Sequence, residues 1–309
     1  QILETADVAG GLVVHVGCGE GKLTAALAAS ESYVVHGLDP DPANVAKARE
    51  HVRALGLYGK VSVEQWTGKR LPYTDNLVNL LVSTTGLGGA MQIEEIMRVL
   101  APGGVLCVRV GNEWKTTVKP RPEEIDEWTH FLHGPDNNAV AQDSIVGPPR
   151  HMQWVAGPKW ARSHDHLATL SAVVSSGGRI FAVVDEGPTA LVALPAKWWL
   201  VARDAFSGVL LWKRPMGPWE WHLRGFRSGP PEISRTLVSI GDRVYVTLGY
   251  GKPVTALDGA TGKTLRTYEG TEGTAEIVYC DGVLYLVVGR RPAEQPGPEI
   301  EPWRRGVTP

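Results

Sequence analysis

Gly17, Cys18, Gly19 and Gly21, within LVVHVGCGEGKLTAAL at residues 12–27, are the residues of this chain whose types and spacing best suit holding a ligand. Glycine lets the backbone turn sharply and approach a ligand more closely than a Cβ would permit. The apolar run before them reads as a buried strand. The run after them reads as the first turns of an amphipathic helix, whose open amides suit a polar or anionic ligand. The spacing is G-x-G-x-G. A dinucleotide fingerprint is G-x-G-x-x-G, so here the third glycine comes one residue early and Lys22 holds its place. Cys18 occupies a loop position where a small residue suffices, and it is not read as a nucleophile.

Asp39 is the next candidate. It ends the run VVHGLD and follows Gly19 by 20 residues, the length of one β-α-β step. A carboxylate at that point accepts ribose hydroxyls. Its alternative role is a turn or N-cap residue beside Pro40 and Pro42. His130 and His133, with His164 and His166 flanking Asp165, have spacings that can ligate zinc or another transition metal. Hydrogen-bonded histidines beside tryptophans are the expected outcome for both pairs, and no metal is expected.

These residues need a frame. Up to about Gly111, the apolar runs VVHV, VVHGL, VSVE, LVNLLV and VLCVRV alternate with helical patterns. Leu23, Ala26 and Leu27 share one helical face; Val45, Ala48, Val52 and Leu55 a second; Ile93, Ile96, Met97 and Leu100 a third. Repeated β-α units predict an α/β doubly wound parallel sheet, with ligands at the carboxyl ends of its strands. After that point helical periodicity vanishes and tryptophans accumulate: of the 11, only Trp66 comes earlier. The expected organisation is an α/β domain over 1–111, a connector with extended segments over 112–165, and an all-β domain over 166–309.

The last part contains a repeat. GGRIFAVV, GDRVYVTL and DGVLYLVV read as alternating strands, and two are followed by matching hairpins, ARDAFSGVLLWKR and ALDGATGKTLRTY. Asp204 and Gly208 match Asp258 and Gly262, and Tyr245 and Tyr285 lie 40 residues apart, the length of one four-stranded propeller blade. Trp198, Trp199, Trp219, Trp221 and His222 fall in the two insertions that lengthen the first repeat, where loop aromatics could meet a sugar, a quinone or a protein partner.

Composition bounds the remaining classes. A formal net charge of −2 with scattered charges gives no footprint for nucleic acid or an anionic membrane. The three cysteines are too far apart for a disulfide framework or a zinc knuckle, and no apolar run is long enough to span a bilayer. The chain opens at Gln1 and closes at Pro309 in a Pro/Arg-rich stretch, which reads as an internal fragment.

The strand, G-x-G-x-G loop and Asp39 resemble a class I S-adenosylmethionine (SAM)-dependent methyltransferase domain over about residues 1–110, with a Rossmann-like sheet. The resemblance implies cofactor contacts from Gly17, Cys18, Gly19, Gly21, Asp39 and Pro40, and from Trp66 and Thr67 at the adenine position after VSVE. It also implies an acidic residue at position 15, where this chain has His15. The family's core continues past its fifth strand into a helix and an antiparallel pair, whereas GNEWKTTVKPRP leaves room for one short strand. The pattern A-[LR]-D-x-x-[ST]-G-x-x-L resembles the pyrroloquinoline-quinone-like repeat of β-propellers, with Trp212 kept and Arg266 in place of the second tryptophan. That likeness implies a partial, quinoprotein-type propeller with the quinone as a possible second cofactor. Three functions follow as expectations: methyl transfer to an unknown small molecule or protein, a non-catalytic binding or scaffold protein working through the propeller loops on a partner or glycan, or a quinone-dependent dehydrogenase. SAM chemistry implies the cytoplasm, and the propeller type implies the periplasm.

Overall fold

The computed structural model describes residues 2–84, 92–145, 147, 152–161, 169–189, 196–217, 219 and 233–289. The chain divides into two compact units, one of Gln1–Asp126, Gln142–Ala156 and Ala202–Trp212, the other of Glu127–Ala141, Gly157–Val201 and Lys213–Pro309.

The first unit is built on β1 (Gly11–Val16), β2 (Tyr33–Asp39), β3 (Val61–Gln65), β4 (Val78–Ser83), β5 (Leu100–Val110) and β6 (Glu113–Val118). They form one six-stranded sheet of order β3-β2-β1-β4-β5-β6. The first five are parallel and β6 is antiparallel to β5, joined at Val110 and Glu113. Alternation along each strand feeds two cores. Val13, Leu80 and Val105 face one, with Ile2 and Ala6 of α1 (Ile2–Ala6), Leu27 of α2 (Lys22–Leu27), and Val45, Ala48 and Val52 of α3 (Pro42–Ala54). Val14, Leu81 and Leu106 face the other, with Ile96 and Val99 of α4 (Ile93–Val99). A sheet covered on both faces is what near-continuous apolar strands require.

The expected helix faces hold in part. Val45, Ala48 and Val52 are buried, but Leu55 lies past the end of α3 as its C-cap and is exposed. In α2 the buried residues are Thr24, Ala25 and Leu27, and Ala26 is exposed. A six-residue helix takes its phase from the glycine turn that launches it, and that turn rotates Ala26 outward. Ile93 is exposed at the start of α4, and Leu100 is already in β5.

The C-terminal part is mostly antiparallel. β7 (Leu170–Ser176), β8 (Arg179–Asp185), β9 (Trp198–Asp204) and β10 (Leu210–Pro215) form one four-stranded sheet, ordered as in the sequence. β11 (Leu237–Ile240), β12 (Arg243–Thr247), β13 (Val254–Asp258) and β14 (Thr264–Tyr268) form a second, and β15 (Thr274–Cys280) pairs with β16 (Val283–Val288). In the second unit, Val238, Tyr245, Val254, Ala256 and Ile277 make a core against which Tyr268, Tyr279, Leu284 and Leu286 pack.

The two repeat hairpins have the same turn. Asp204 N donates to Val209 O at 3.0 Å, and Gly208 N to Asp204 O at 3.0 Å. Asp258 N donates to Lys263 O and Gly262 N to Asp258 O, both at 2.8 Å. In each, the aspartate Oδ1 accepts the amide and hydroxyl of the residue three further on, Ser207 or Thr261. The following glycine is left-handed, with φ 70° at Gly208 and 69° at Gly262. D-x-x-[ST]-G is thus a turn code, in which an acceptor side chain closes the loop and glycine supplies the positive φ.

Candidate functional site

The carboxyl end of β1 carries the glycine loop. Gly17, Gly19 and Gly21 take φ values of 73°, 53° and 81°, all in the left-handed region. Gly17 N and Cys18 N donate to Leu38 O at 2.8 and 3.1 Å, tying the loop to the end of β2. Gly19 and Gly21 differ in what surrounds them. A Cβ on Gly21 would stand 2.8 Å from the Cβ of Ala48 in α3, whereas one on Gly19 would meet nothing within 4 Å among the described residues. Gly21 therefore serves helix packing, and Gly19 borders open space.

Asp39 ends β2 and is buried. Its Oδ2 accepts the Gly19 amide at 2.8 Å. Its Oδ1 accepts Asp41 N at 3.0 Å and Asn44 Nδ2 at 3.1 Å. A carboxylate oxygen accepts about two hydrogen bonds, so Oδ2 retains capacity and Oδ1 is full. The helix cap is Asp41, which accepts Ala43 N. Asp39 is therefore a turn residue as well as a candidate ligand group, and Pro40 beside it is exposed.

His15, the penultimate residue of β1, is 1% exposed. Its Nδ1 lies 2.8 Å from Thr24 Oγ1, and among the described residues its Nε2 has no hydrogen-bond partner. Burial lowers its pKa to about 4, against the smaller opposing pull of Asp39, so the ring is neutral at pH 7. Burial, and then Asp39, push the Cys18 thiol up to about 11. A thiol so placed is protonated and a poor nucleophile, as its loop position implies.

Trp66 follows β3, and its amide donates to Asp39 O at 3.0 Å. The ring is half-buried against the α4-side core, with Nε1 donating to Arg70 O at 2.9 Å. Thr67 is exposed. Glycine loop, Asp39, Trp66 and Thr67 thus come together at one edge of the sheet. Sequence reasoning missed Thr84, which follows β4 and donates from Oγ1 to Gly17 O at 3.0 Å. Its signal was topological. In this strand order, the crevice between β1 and β4 is the switch point where ligands bind.

The other constellations resolve differently. His130 is buried, with Nδ1 at 2.7 Å from Thr129 Oγ1 and Nε2 accepting Tyr279 N at 3.0 Å. Both ring nitrogens are used, so His130 is a structural link to β15. His133 packs edge-on against Trp128. His164, Asp165 and His166 lie outside the described residues, as do Trp221 and His222. Among the described residues, no group of three or more His, Cys, Asp and Glu could hold a metal ion, and no helix is long and apolar enough to cross a membrane. Trp198 and Trp199 belong to β9 rather than to a loop, and Trp198 is buried. Trp199 lies under Lys213 Nζ, which is 4.4 Å from its ring centroid. Trp219 is fully buried, edge-on to Tyr250. Trp198 and Trp219 are therefore packing groups, and Trp199 is a half-buried strand residue with a lysine over its ring.

Residues 13–104 match the family described as a methyltransferase domain. The chain is 34% identical over 113 residues to methyltransferase GfsG of Streptomyces halstedii, covering 35% of this chain and 41% of that protein. It is 27% identical over 172 residues to the ubiquinone/menaquinone biosynthesis C-methyltransferase UbiE of Cronobacter sakazakii, covering 54% and 65%. The chain spans less than half the length of the first three curated relatives it matches, 41%, 47% and 49%. A solved SAM-dependent methyltransferase of Methanosarcina mazei is 25% identical, over 35% of this chain and 55% of that one, with a TM-score of 0.31. Residues 13–104 of this chain therefore have a Rossmann-like fold of the methyltransferase type.

Proposed function

We propose that this protein binds SAM at the carboxyl edge of the β1–β4 sheet and acts as a SAM-dependent methyltransferase on a small molecule or a protein. The observation that carries the reading is the Gly19 amide joined to Asp39 Oδ2 across the ends of β1 and β2, within the stretch that matches methyltransferases. The residues fit the cofactor. Among the described residues, open space borders Gly19, Asp39 Oδ2 retains acceptor capacity for a ribose hydroxyl, and the buried Nε2 of His15 lacks a partner. Gly17, Cys18, Gly19, Asp39 and Pro40 hold the amino-acid and ribose parts in this reading, Gly21 shapes the loop by letting α2 pack on α3, and Trp66 and Thr67 hold the adenine. When bound, SAM supplies an electrophilic methyl group. The protein's contribution is to align a nucleophile with it and exclude water. Calorimetry with SAM and S-adenosylhomocysteine tests this, and folded protein that takes up neither at millimolar concentration overturns it.

In this reading 1–111 is the methyltransferase domain, 112–165 a connector and 166–309 a partial quinoprotein-type β-propeller. The two meanders with matching Asp204 and Asp258 turns support the propeller. One observation favours a second reading, a scaffold whose propeller does the binding. β5 passes into β6 between Val110 and Glu113, with no helix between them to wall a substrate pocket. The same titration separates the two, since a scaffold with a degenerate site takes up no SAM.

A further inference from the structure

β7, β11 and β15 each lie at the end of their sheet, so each has one edge that the sheet itself does not pair. Such an edge carries amides and carbonyls that need partners elsewhere. In the second unit one short segment supplies them. Ser175 N of β7 donates to Trp128 O at 2.7 Å, Ser239 N of β11 to Thr129 O at 3.0 Å, and Tyr279 N of β15 to His130 Nε2 at 3.0 Å. The three acceptors come from consecutive residues. The three donors are equivalent in the repeat, since each stands four residues before the start of the next strand, at Arg179, Arg243 and Val283. β7 is held by two further bonds, Trp128 N to Ser175 Oγ at 3.0 Å and Gly177 N to Glu127 Oε1 at 2.7 Å. The side chain among the acceptors is set in the form its bond needs. His130 is buried, and burial lowers its pKa, so the ring is neutral at pH 7. Nε2 takes the Tyr279 amide, so Nδ1 carries the proton and donates to Thr129 Oγ1 at 2.7 Å. The threonine hydroxyl donates in turn to His133 O at 3.1 Å.

We propose that residues 127–130 are an internal binding segment for the open edges of β7, β11 and β15, offering one acceptor to each of three repeat-equivalent amides. The surface those amides form fits a peptide with acceptors at three successive residues, and this chain supplies that peptide itself. The all-β part of the second unit is therefore organised about residues 127–130, which lie inside the stretch read from the sequence as a connector. Thr129 is the positioning residue that fixes the His130 tautomer. This inference is independent of the SAM reading.

The test follows amide hydrogen exchange in the whole chain by NMR at pH 7. In wild type the amides of Ser175, Ser239 and Tyr279 should lose protection together as urea is raised, in one opening. His130→Ala removes one acceptor and should speed exchange about 10-fold at all three amides, while the Gly262 amide in the β13–β14 turn keeps its rate. His130→Gln, whose Oε1 is an acceptor, should restore the slow rates. Long-range ¹H–¹⁵N spectra should show His130 as the Nδ1–H tautomer, lost as a single form in Thr129→Val and kept in Thr129→Ser. Acceleration confined to Tyr279 overturns the inference, because the sheets then hold their edges without the segment. Equal acceleration at Gly262 overturns it too, as do three separate openings in wild type or an Nε2–H tautomer. The urea series and the tautomer need only wild-type protein, so the inference is tested even where His130→Ala fails to fold.

Discussion

Gly19 N and Asp39 Oδ2 are 2.8 Å apart, across 20 residues of chain. That bond joins the two features the sequence offered separately, the glycine loop after β1 and the carboxylate that ends β2. Asp39 also closes its own turn through Asp41 N and holds Asn44 in the first turn of α3. One carboxylate therefore aligns loop, strand end and helix start. Asp39→Ala leaves three donors without their acceptor; a hydrogen bond to a charged group contributes about 1.5–3 kcal/mol, and because all three are only partly buried, water takes over much of what they lose. The expected outcome is a loss of about 2–3 kcal/mol in urea unfolding, together with loss of SAM uptake. Asp39→Asn keeps one acceptor oxygen and should fall between wild type and alanine on both measures. Unchanged unfolding in the alanine variant would show that the three bonds do not hold the turn.

The two glycines should separate stability from binding. Gly19→Ala places a methyl in open space at φ 53°, so its cost is the left-handed backbone alone, about 1–2 kcal/mol. Gly21→Ala adds a clash with the Cβ and Cα of Ala48, at 2.8 and 3.0 Å. Overpacking of that kind brings its total to about 2–5 kcal/mol. Thermal melts should therefore rank Gly21→Ala well below Gly19→Ala. Calorimetry should show the folded Gly19→Ala protein impaired in SAM binding, because its new methyl projects into the space that borders the loop.

Asp258 allows the turn code to be tested away from the glycine loop. Its Oδ1 accepts Thr261 N at 2.7 Å and Thr261 Oγ1 at 2.6 Å, at the exposed tip of the β13–β14 hairpin. Asp258→Ala should destabilise by about 1–2 kcal/mol, since the donors it abandons can still reach water. Thr261→Val removes only the hydroxyl bond and should cost less. Hydrogen exchange at Gly262 and at residue 258, whose amides donate the backbone bonds that close the same turn, should accelerate in Asp258→Ala. Unchanged exchange there would reduce the aspartate to a solvated side chain.

What could be read from the sequence was local. The five parallel strands are β-branched apolar runs, and the loop is a spacing of glycines, so neither needs tertiary information. The Asp204 and Asp258 turns were legible for the same reason, because each is closed within five residues. The failures depend on phase and partner. Ala26 faces outward because the glycine turn sets the rotation of a six-residue helix, which periodicity over so short a span does not fix. Trp198 and Trp219 were expected on loops, and their burial follows from neighbours that only the folded chain supplies. His15 is the sharpest case. Its position was readable, but its pairing with Thr24 depends on that same phase of α2.

His15 also sets a pH signature. Its pKa is about 4 in the folded protein, lowered first by burial, against an ordinary value of 6.5. The unfolded chain therefore takes up a proton as pH falls through 6.5, while the folded chain does not until pH nears 4. Stability is complete above pH 6.5 and is lost progressively down to about pH 4, with a slope approaching 1.4 kcal/mol per pH unit and a total of about 3 kcal/mol. Burial lowers the pKa of His36 and His130 as well, so they act with the same sign. The variant that isolates the His15 share is His15→Gln, which keeps polar atoms but cannot titrate. Urea unfolding followed at pH 7, 6 and 5 should show a shallower fall for the variant, by up to one proton's slope, with its deficit against wild type largest at pH 7. Parallel falls for the two proteins would mean that His15 titrates in the folded state as it does in the unfolded chain, and that its ring is open to water.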